Sequence, residues 1–144
     1  SGVQLGTRFV CAFESIAHPR FKEAFIRATA RDAVVSVQLD PRFQVIPVRA
    51  LANPATERFL AVQRQMIDRV ASGQLSQKEA QLEIEHFWAG ALRRAVIDGD
   101  VETGSLMAGQ SVGLVTRAQS IAEILAELVA QASSVLAARA AGPG

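Results

Sequence analysis

A glycine-rich stretch near the end of the chain, residues 98–115 (DGDVETGSLMAGQSVGLV), has the composition of a backbone that could bind a ligand. Glycine lets the backbone approach a ligand closely and reach positive φ. Met107 adds one soft apolar side chain and Gln110 adds one amide. Such a surface suits the face or edge of a flat aromatic ring. The same residues also suit a tight turn followed by a closely packed helix, so the residues alone leave both interpretations open.

The other residues that could do chemistry form no site with a diagnostic spacing. Asp98, Asp100 and Glu102 begin like a calcium loop, but no glycine follows at the sixth position and no glutamate at the twelfth. We therefore interpret them as turn formers and solvent-facing charges. His18 precedes a proline and is expected to be a cap or turn residue. Cys11 is expected to be inert packing, so the sequence predicts neither a catalytic residue nor a metal site.

Helix-start signals outline the elements that must position this stretch. Pro19 opens a helix to about residue 29, and Asn53 followed by proline opens one to about residue 71. Ser76 and Ser120 each have a glutamate three residues later, a capping-box pattern, and the second of these helices should run to about residue 141. Trp88, at the end of the helix that follows Ser76, is expected to be a packing anchor.

Extended segments are expected in three places. Residues 2–9 (GVQLGTRF) have the pattern of a strand. Residues 34–39 alternate apolar and polar side chains, and residues 43–48 form a second short extended piece limited by Pro47. Because residues 40–42 (DPR) separate these last two pieces, a small hairpin is predicted there.

Composition narrows the function classes. The 144 residues carry a net charge of +1 with 49% hydrophobic and 20% charged residues, values typical of one globular domain. The chain lacks a basic cluster, which argues against a nucleic-acid partner. It also lacks an uninterrupted run of 18 apolar residues and an opening signal pattern, so we expect no membrane span. The single cysteine excludes an internal disulfide, and together these features predict a cytoplasmic location.

Two separated segments resemble one known family. The 98–115 stretch resembles the C-terminal signature of the flavin-dependent enoyl-acyl-carrier-protein reductase and nitronate monooxygenase family. Residues 2–9 resemble the last barrel strand of that family, and residues 14–22 (ESIAHPRFK) resemble the segment after that strand. The two matches occur in the same order and at similar spacing, which makes them more specific together than either is alone.

The resemblance implies an α/β fold that is the C-terminal segment of a (β/α)8 TIM barrel with a mostly helical covering subdomain. Residues 1–33 would hold the last barrel strand and its helix, residues 34–104 the covering subdomain, and residues 105–144 the flavin-facing segment and C-terminal helix. A lone strand cannot satisfy its own backbone hydrogen bonds. The other strands would therefore come from a separate polypeptide or from a longer parent chain, unless this strand pairs within the chain or with a copy of it.

The implied cofactor is FMN, with NADH or NADPH as the electron donor. By resemblance, the phosphate would be held by Gly6 and Thr7, and the flavin would lie against Met107, Ala108, Gly109 and Gln110. Arg8 could reach the phosphate or form a local ion pair with a carboxylate such as Glu14, and we prefer the ion pair.

The implied activity is that of an FMN-dependent oxidoreductase, with the segment alone expected to be inactive. Within the family, the sequence of the 98–115 stretch is more similar to NAD(P)H-dependent enoyl-acyl-carrier-protein reductases, which act on an acyl thioester. The alternative is a nitronate monooxygenase, which acts on a small molecule. A third interpretation is a non-catalytic module that completes or caps a barrel supplied by another chain. The sequence also leaves homo-oligomer formation open.

Overall fold

The structure, a computed structural model, describes residues 3–141. The chain folds into helices around one small antiparallel sheet. The predicted tail at residues 142–144 lies outside the described residues, as does Gly2. In chain order the elements are α1 (Thr7–Val10), α2 (Pro19–Arg27), β1 (Ala33–Val35), β2 (Arg49–Leu51), α3 (Pro54–Ala71), α4 (Gln77–Phe87), α5 (Ala91–Val96), a 3₁₀ helix (Gln110–Leu114) and α6 (Ile121–Ala140).

The predicted helix starts are confirmed because each is encoded by a local hydrogen bond. Asn53, Ser76 and Ser120 accept the backbone N–H three residues later, and each forms a complete capping box with the side chain at that position. His18 caps α2 through its Nδ1, which accepts the Arg20 N–H at 3.2 Å. Its predicted role as a cap is therefore confirmed.

The predicted strand at residues 2–9 is wrong over the described residues. Residues 3–5 pair with no strand among residues 3–141, and Thr7–Val10 is helical, with the Val10 N–H donating to the Gly6 carbonyl at 3.0 Å. Strand backbone groups need a neighbouring strand to satisfy them. A single helical turn satisfies the Val10 N–H locally instead.

The sheet pairs β1 with β2, and the second strand is not the predicted one. Ala33 lies opposite Leu51 and Val35 opposite Arg49, so the second strand falls just after residues 43–48 rather than within them. The 36–39 and 45–48 segments are joined largely through side chains instead. Ser36 Oγ accepts the Val48 N–H at 3.0 Å and donates to the Ile46 carbonyl. Pro47 also lacks the N–H that a regular ladder needs.

The predicted turn between those segments is present at Asp40. Its carboxylate accepts the Arg42 N–H at 2.8 Å and forms an ion pair with the Arg42 guanidinium at 2.7 Å. The Arg42 side chain is the main cause that holds the pKa of Asp40 below its ordinary value. The 36–39 segment is fixed to α3 by Gln63, a buried amide that accepts from the Leu39 N–H and donates to the Val37 carbonyl.

Two hydrophobic clusters form the core. The first joins α2, the sheet, α5 and residues 106–115, and the second joins residue 43 to α3 and α4. The first cluster contains residues from all three predicted parts of the chain, so it does not separate them. The boundaries at residues 33/34 and 104/105 therefore stay predictions. The members of the first cluster are Cys11, Ala17, Phe21, Phe25, Ala33, Leu51, Ala95, Leu106, Ala108, Val112 and Val115, and those of the second are Phe43, Phe59, Met66, Ala80 and Ile84.

Trp88 packs as predicted, at the edge of the second cluster. It is half-buried at the C-terminus of α4, with its ring 5.4 Å from that of Phe59 and 4.9 Å from that of Phe87. The Phe59 and Phe87 rings are 5.1 Å apart. The three aromatic side chains therefore join α3 to the end of α4.

The last helix, α6, is apolar enough to qualify as a candidate membrane span, although the absence of an uninterrupted apolar run predicted no such span. By length and composition α6 could cross a membrane, with a mean hydropathy of 1.5 in its most apolar window. The sequence of α6 contains the charged residues Glu123, Glu127 and Arg139, so it has no uninterrupted apolar run, but its average composition is still apolar. One helix of this kind is weak evidence for a membrane. Within α6, Ile124 is the buried side chain, so most of the helix surface is exposed.

Candidate functional site

The two segments singled out in the sequence meet in the fold. The backbone N–H of Gly109 donates to the hydroxyl oxygen of Thr7 at 3.0 Å, across 102 residues of chain. Thr7 is the first residue of α1, and Gly109 directly precedes the 3₁₀ helix. The contact places Gly6 and Thr7 beside residues 107–110, which we call the 107–110 segment.

The sheet holds the other side of the 107–110 segment. Met107 forms an isolated antiparallel bridge with Ala50 of β2. The Ala108 N–H donates to the Arg49 carbonyl at 3.1 Å, and the Leu51 N–H donates to the Leu106 carbonyl at 2.9 Å. The segment therefore runs from the edge of β2 to the start of α1.

Exposure differs among the predicted site residues. Gly6, Met107 and Gln110 are exposed, and Met107 keeps 45% of its surface accessible. Thr7 and Gly109 are half-buried. Ala108 is buried in the first cluster and its N–H is already bonded to β2, so only its carbonyl is left for an outside partner. Gln110 is the first residue of the 3₁₀ helix.

The glycines of the 98–115 stretch serve the fold more than an open surface. A Cβ on Gly104 would lie 2.6 Å from the Ala95 Cβ, and one on Gly113 would lie 2.8 Å from the Ala30 backbone nitrogen. Gly99 has φ +73° and packs on the His18 ring. At Gly109, by contrast, the nearest atoms to a Cβ are 3.5 and 3.6 Å away, which is ordinary contact. Gly109 is therefore the glycine of this group that could accommodate a Cβ without a clash.

Two positioning residues were missed by sequence reasoning. Arg49 lies beside the 107–110 segment, and its guanidinium donates to the Ala33 carbonyl at 2.8 Å, which ties β2 to β1. Asn53 does more than cap α3. Its side-chain amide donates to the carbonyls of Val101 and Gly104, at 3.0 and 2.9 Å. The proline after Asn53 signals the cap, but no local pattern signals these long-range bonds.

Arg8 forms a structural ion pair, but not with the expected carboxylate. Its guanidinium lies 3.7 Å from the Glu127 carboxylate on α6 and also donates to the buried Gln119 side chain. Glu14 instead accepts the Ile121 N–H with both oxygens, at 3.0 and 3.1 Å, at the first residue of α6. The N-terminus of a helix carries free N–H groups, so a carboxylate is stabilised there.

The remaining reactive side chains do not assemble into a site. Cys11 is buried, and burial is the main cause that raises the pKa of its thiol, although Arg8 and Lys22 oppose the shift. Among residues 3–141, no three His, Cys, Asp or Glu side chains are grouped to hold a metal ion. Asp100 closes its own loop, since its carboxylate accepts the N–H groups of Glu102 and Thr103 at 3.1 and 2.8 Å. Asp100 is therefore a turn former, as predicted.

Comparison with known proteins places the chain in one family. Residues 1–131 match the family model described as nitronate monooxygenase. The structure of FabK from Thermotoga maritima is similar, with a TM-score of 0.75, 31% identity, and coverage of 97% of this chain and 40% of that one. A mutant of the same protein gives a TM-score of 0.67 and 31% identity over 96% of this chain and 37% of that one. No curated protein matches. The chain thus spans about 40% of the length of these solved relatives and corresponds to a part of them; it belongs to the nitronate monooxygenase family.

Proposed function

We propose that this chain is the C-terminal part of an FMN-dependent oxidoreductase, and that Gly6, Thr7 and the 107–110 segment form one face of its flavin site. The observation that carries the proposal is the hydrogen bond between Gly109 and Thr7, because it joins the two segments that the family resemblance assigns separately to the phosphate and to the ring. When bound, FMN would supply hydride transfer between NADH or NADPH and the substrate.

The residues fit such a group. Gly6 is exposed, and a Cβ built on it meets no atom within 4 Å, so its backbone is accessible to a phosphate. The Thr7 hydroxyl accepts from Gly109 and keeps its own proton to donate. Met107 presents an accessible thioether, a side chain that makes favourable contacts with aromatic rings. The exposed Gln110 amide can donate to and accept from a heteroaromatic edge.

The chain's own part in the chemistry is to bind and orient. Thr7 and Gly6 would fix the phosphate end, while Met107 and the Gln110 amide would fix the ring end. Ala108 would take part through its carbonyl. The described residues provide no general base that we would assign, so proton transfer belongs to residues outside this chain segment.

The reaction we favour is that of an NAD(P)H-dependent enoyl-acyl-carrier-protein reductase. The sequence of the 98–115 stretch and the similarity to the FabK structures support this activity. The description of the matching family model favours the second candidate, a nitronate monooxygenase. Assays with an enoyl thioester and with a nitronate, each on the completed barrel, distinguish the two.

We also propose that the remainder of the barrel covers the exposed apolar side chains of this chain. The complete enzyme would be cytoplasmic. Val3, Ile16 and Leu114 have 81–88% of their surface exposed, and Leu125 and Leu136 of α6 have 50% and 67%. A chain that corresponds to a part of larger relatives can bury such side chains against the rest of the protein. The interpretation of the chain as a non-catalytic capping module predicts the same covering, but without FMN contacts from Thr7 and Gly109.

The proposed flavin face is tested by filling the space beside Gly109. We expect Gly109→Leu to weaken FMN binding roughly tenfold, or about 1.4 kcal/mol, because its side chain would occupy that space. Gly109→Ala should leave the fold intact, since its Cβ makes ordinary contacts. Fluorescence titration of FMN with each variant, made in the completed barrel, measures the affinity.

The control for a bulky side chain is Ala61→Leu, which places a leucine on the exposed surface of α3. It should bind FMN like the unsubstituted chain. Equal FMN affinity in Gly109→Leu and the unsubstituted chain would remove the 107–110 segment from the flavin face.

A further inference from the structure

We infer that Thr7 is a positioning residue whose hydroxyl fixes the 107–110 segment against α1. The inference rests on the proposed function for its consequence in FMN binding, but the positioning role itself is a property of the fold. The carrying observation is that the Gly109 N–H donates to Thr7 Oγ1, while Thr7 and Gly109 are both half-buried.

The Thr7 contact holds a side of the segment that the sheet does not reach. Ala108 and Leu106 are bonded to β2, so the segment is anchored at its start. After Ala108 the chain turns into the 3₁₀ helix, with the Val112 N–H donating to the Gly109 carbonyl at 3.0 Å. The Thr7 hydroxyl takes the Gly109 N–H at this junction. Without that bond, the junction would lose its hydrogen bond to α1, although β2 would still hold its start and the buried Val112 would still hold the 3₁₀ helix.

The bond from Gly109 also leaves the proton of the Thr7 hydroxyl available to donate. A hydroxyl has one proton to donate and two lone pairs to accept with. Because Oγ1 already accepts from Gly109, its proton is directed to another acceptor, and no such acceptor bonds it within residues 3–141. A phosphate ester beside Gly6 is a suitable acceptor. Thr7 would therefore bind the phosphate and at the same time fix the position of the 107–110 segment.

The experiment compares two substitutions that separate the hydroxyl from the side-chain shape. Thr7→Val keeps the shape and removes the hydroxyl, whereas Thr7→Ser keeps the hydroxyl. We expect the Gly109 amide to exchange with solvent roughly tenfold faster in Thr7→Val and at nearly the original rate in Thr7→Ser, because a lost hydrogen bond exposes its donor. Thr29→Val, which removes a hydroxyl bonded to Asp32 in the loop after α2, is the matched control and should not change Gly109 exchange.

A second readout, the affinity for FMN, separates this inference from the proposed function. Faster Gly109 exchange in Thr7→Val with restoration in Thr7→Ser supports the positioning role, and a parallel loss and rescue of FMN affinity supports the proposed function as well. If the same exchange pattern appears while no variant binds FMN, the positioning role stands and the flavin site fails. Unchanged Gly109 exchange in Thr7→Val, or no rescue by serine, would overturn the inference. Thr7→Ala gives the same comparison if Thr7→Val does not fold.

Discussion

The Gly104→Ala variant is expected to unfold with a free energy about 3 kcal/mol lower than that of the original chain. A Cβ at this position would lie 2.6 Å from the Ala95 Cβ and 2.7 Å from its backbone nitrogen, and it would also meet the Asp100 carbonyl oxygen. These are mostly backbone atoms, which cannot turn aside as a flexible side chain can. The loop would have to leave α5, and its bond from the Asn53 amide to the Gly104 carbonyl would be strained.

Chemical denaturation followed by circular dichroism measures this loss. Gly109→Ala is the matched control in the same loop, because its Cβ has 3.5 Å to its nearest neighbour. It should change the free energy of unfolding by less than about 0.5 kcal/mol. Equal stability of the two variants would show that the loop does not pack on α5 as described, and the placement of the 107–110 segment would then lose its support from Asn53.

Phe59→Ala is expected to lower the free energy of unfolding by about 4 kcal/mol, the range measured for buried aromatic side chains. Phe59 is 3% exposed and contacts both Phe87 and Trp88, so its removal opens a cavity between α3 and α4. The surrounding rings can close the cavity only by giving up their own contacts.

Leu82→Ala, on α4, serves as the control for this cavity. Leu82 has 45% of its surface exposed, and its loss should cost about 1 kcal/mol or less. Thermal unfolding of both variants checks the difference. A Phe59→Ala variant as stable as Leu82→Ala would mean that the second cluster does not hold the two helices together.

Local signals predicted most of the helical framework. Asn53, Ser76 and Ser120 each satisfy an N–H three residues away, so the helix start is written in a four-residue window. The same holds for the Asp40 turn, whose carboxylate bonds two residues ahead. Such elements depend little on the rest of the fold.

The strands depended on partners that the sequence does not specify. The 43–48 piece looked extended, yet Ser36 and Gln38 bond its backbone through their side chains, and the ladder forms only from Arg49 to Leu51. At the N-terminus, a pattern that resembles a barrel strand gives an unpaired stretch followed by α1, since no neighbouring strand is present among the described residues. Residue patterns thus encode the tendency to extend but not the pairing.

The candidate site was predicted as two segments, not as one. Nothing in the residues themselves relates Thr7 to Gly109, 102 positions later, and only the family resemblance assigned both to one cofactor. The long-range roles of Arg49 and Asn53 were missed because they run through backbone atoms of residues far away in the sequence. Long-range hydrogen bonds of this kind leave no periodic pattern to find.

The most direct test is a nuclear magnetic resonance titration with FMN of the completed barrel, in which this part of the chain carries the isotope label, because amide shifts report binding and locate it. If the two segments form one flavin face, the amides of Gly6, Thr7, Gly109 and Gln110 are expected to show saturable shifts, and the two segments should respond at the same FMN concentration. A shallow depression on α3, which includes Arg64 and Arg69, should not respond. Shifts confined to that depression, or no saturable shift at either segment, would contradict the claim that Thr7 and Gly109 together form a flavin face.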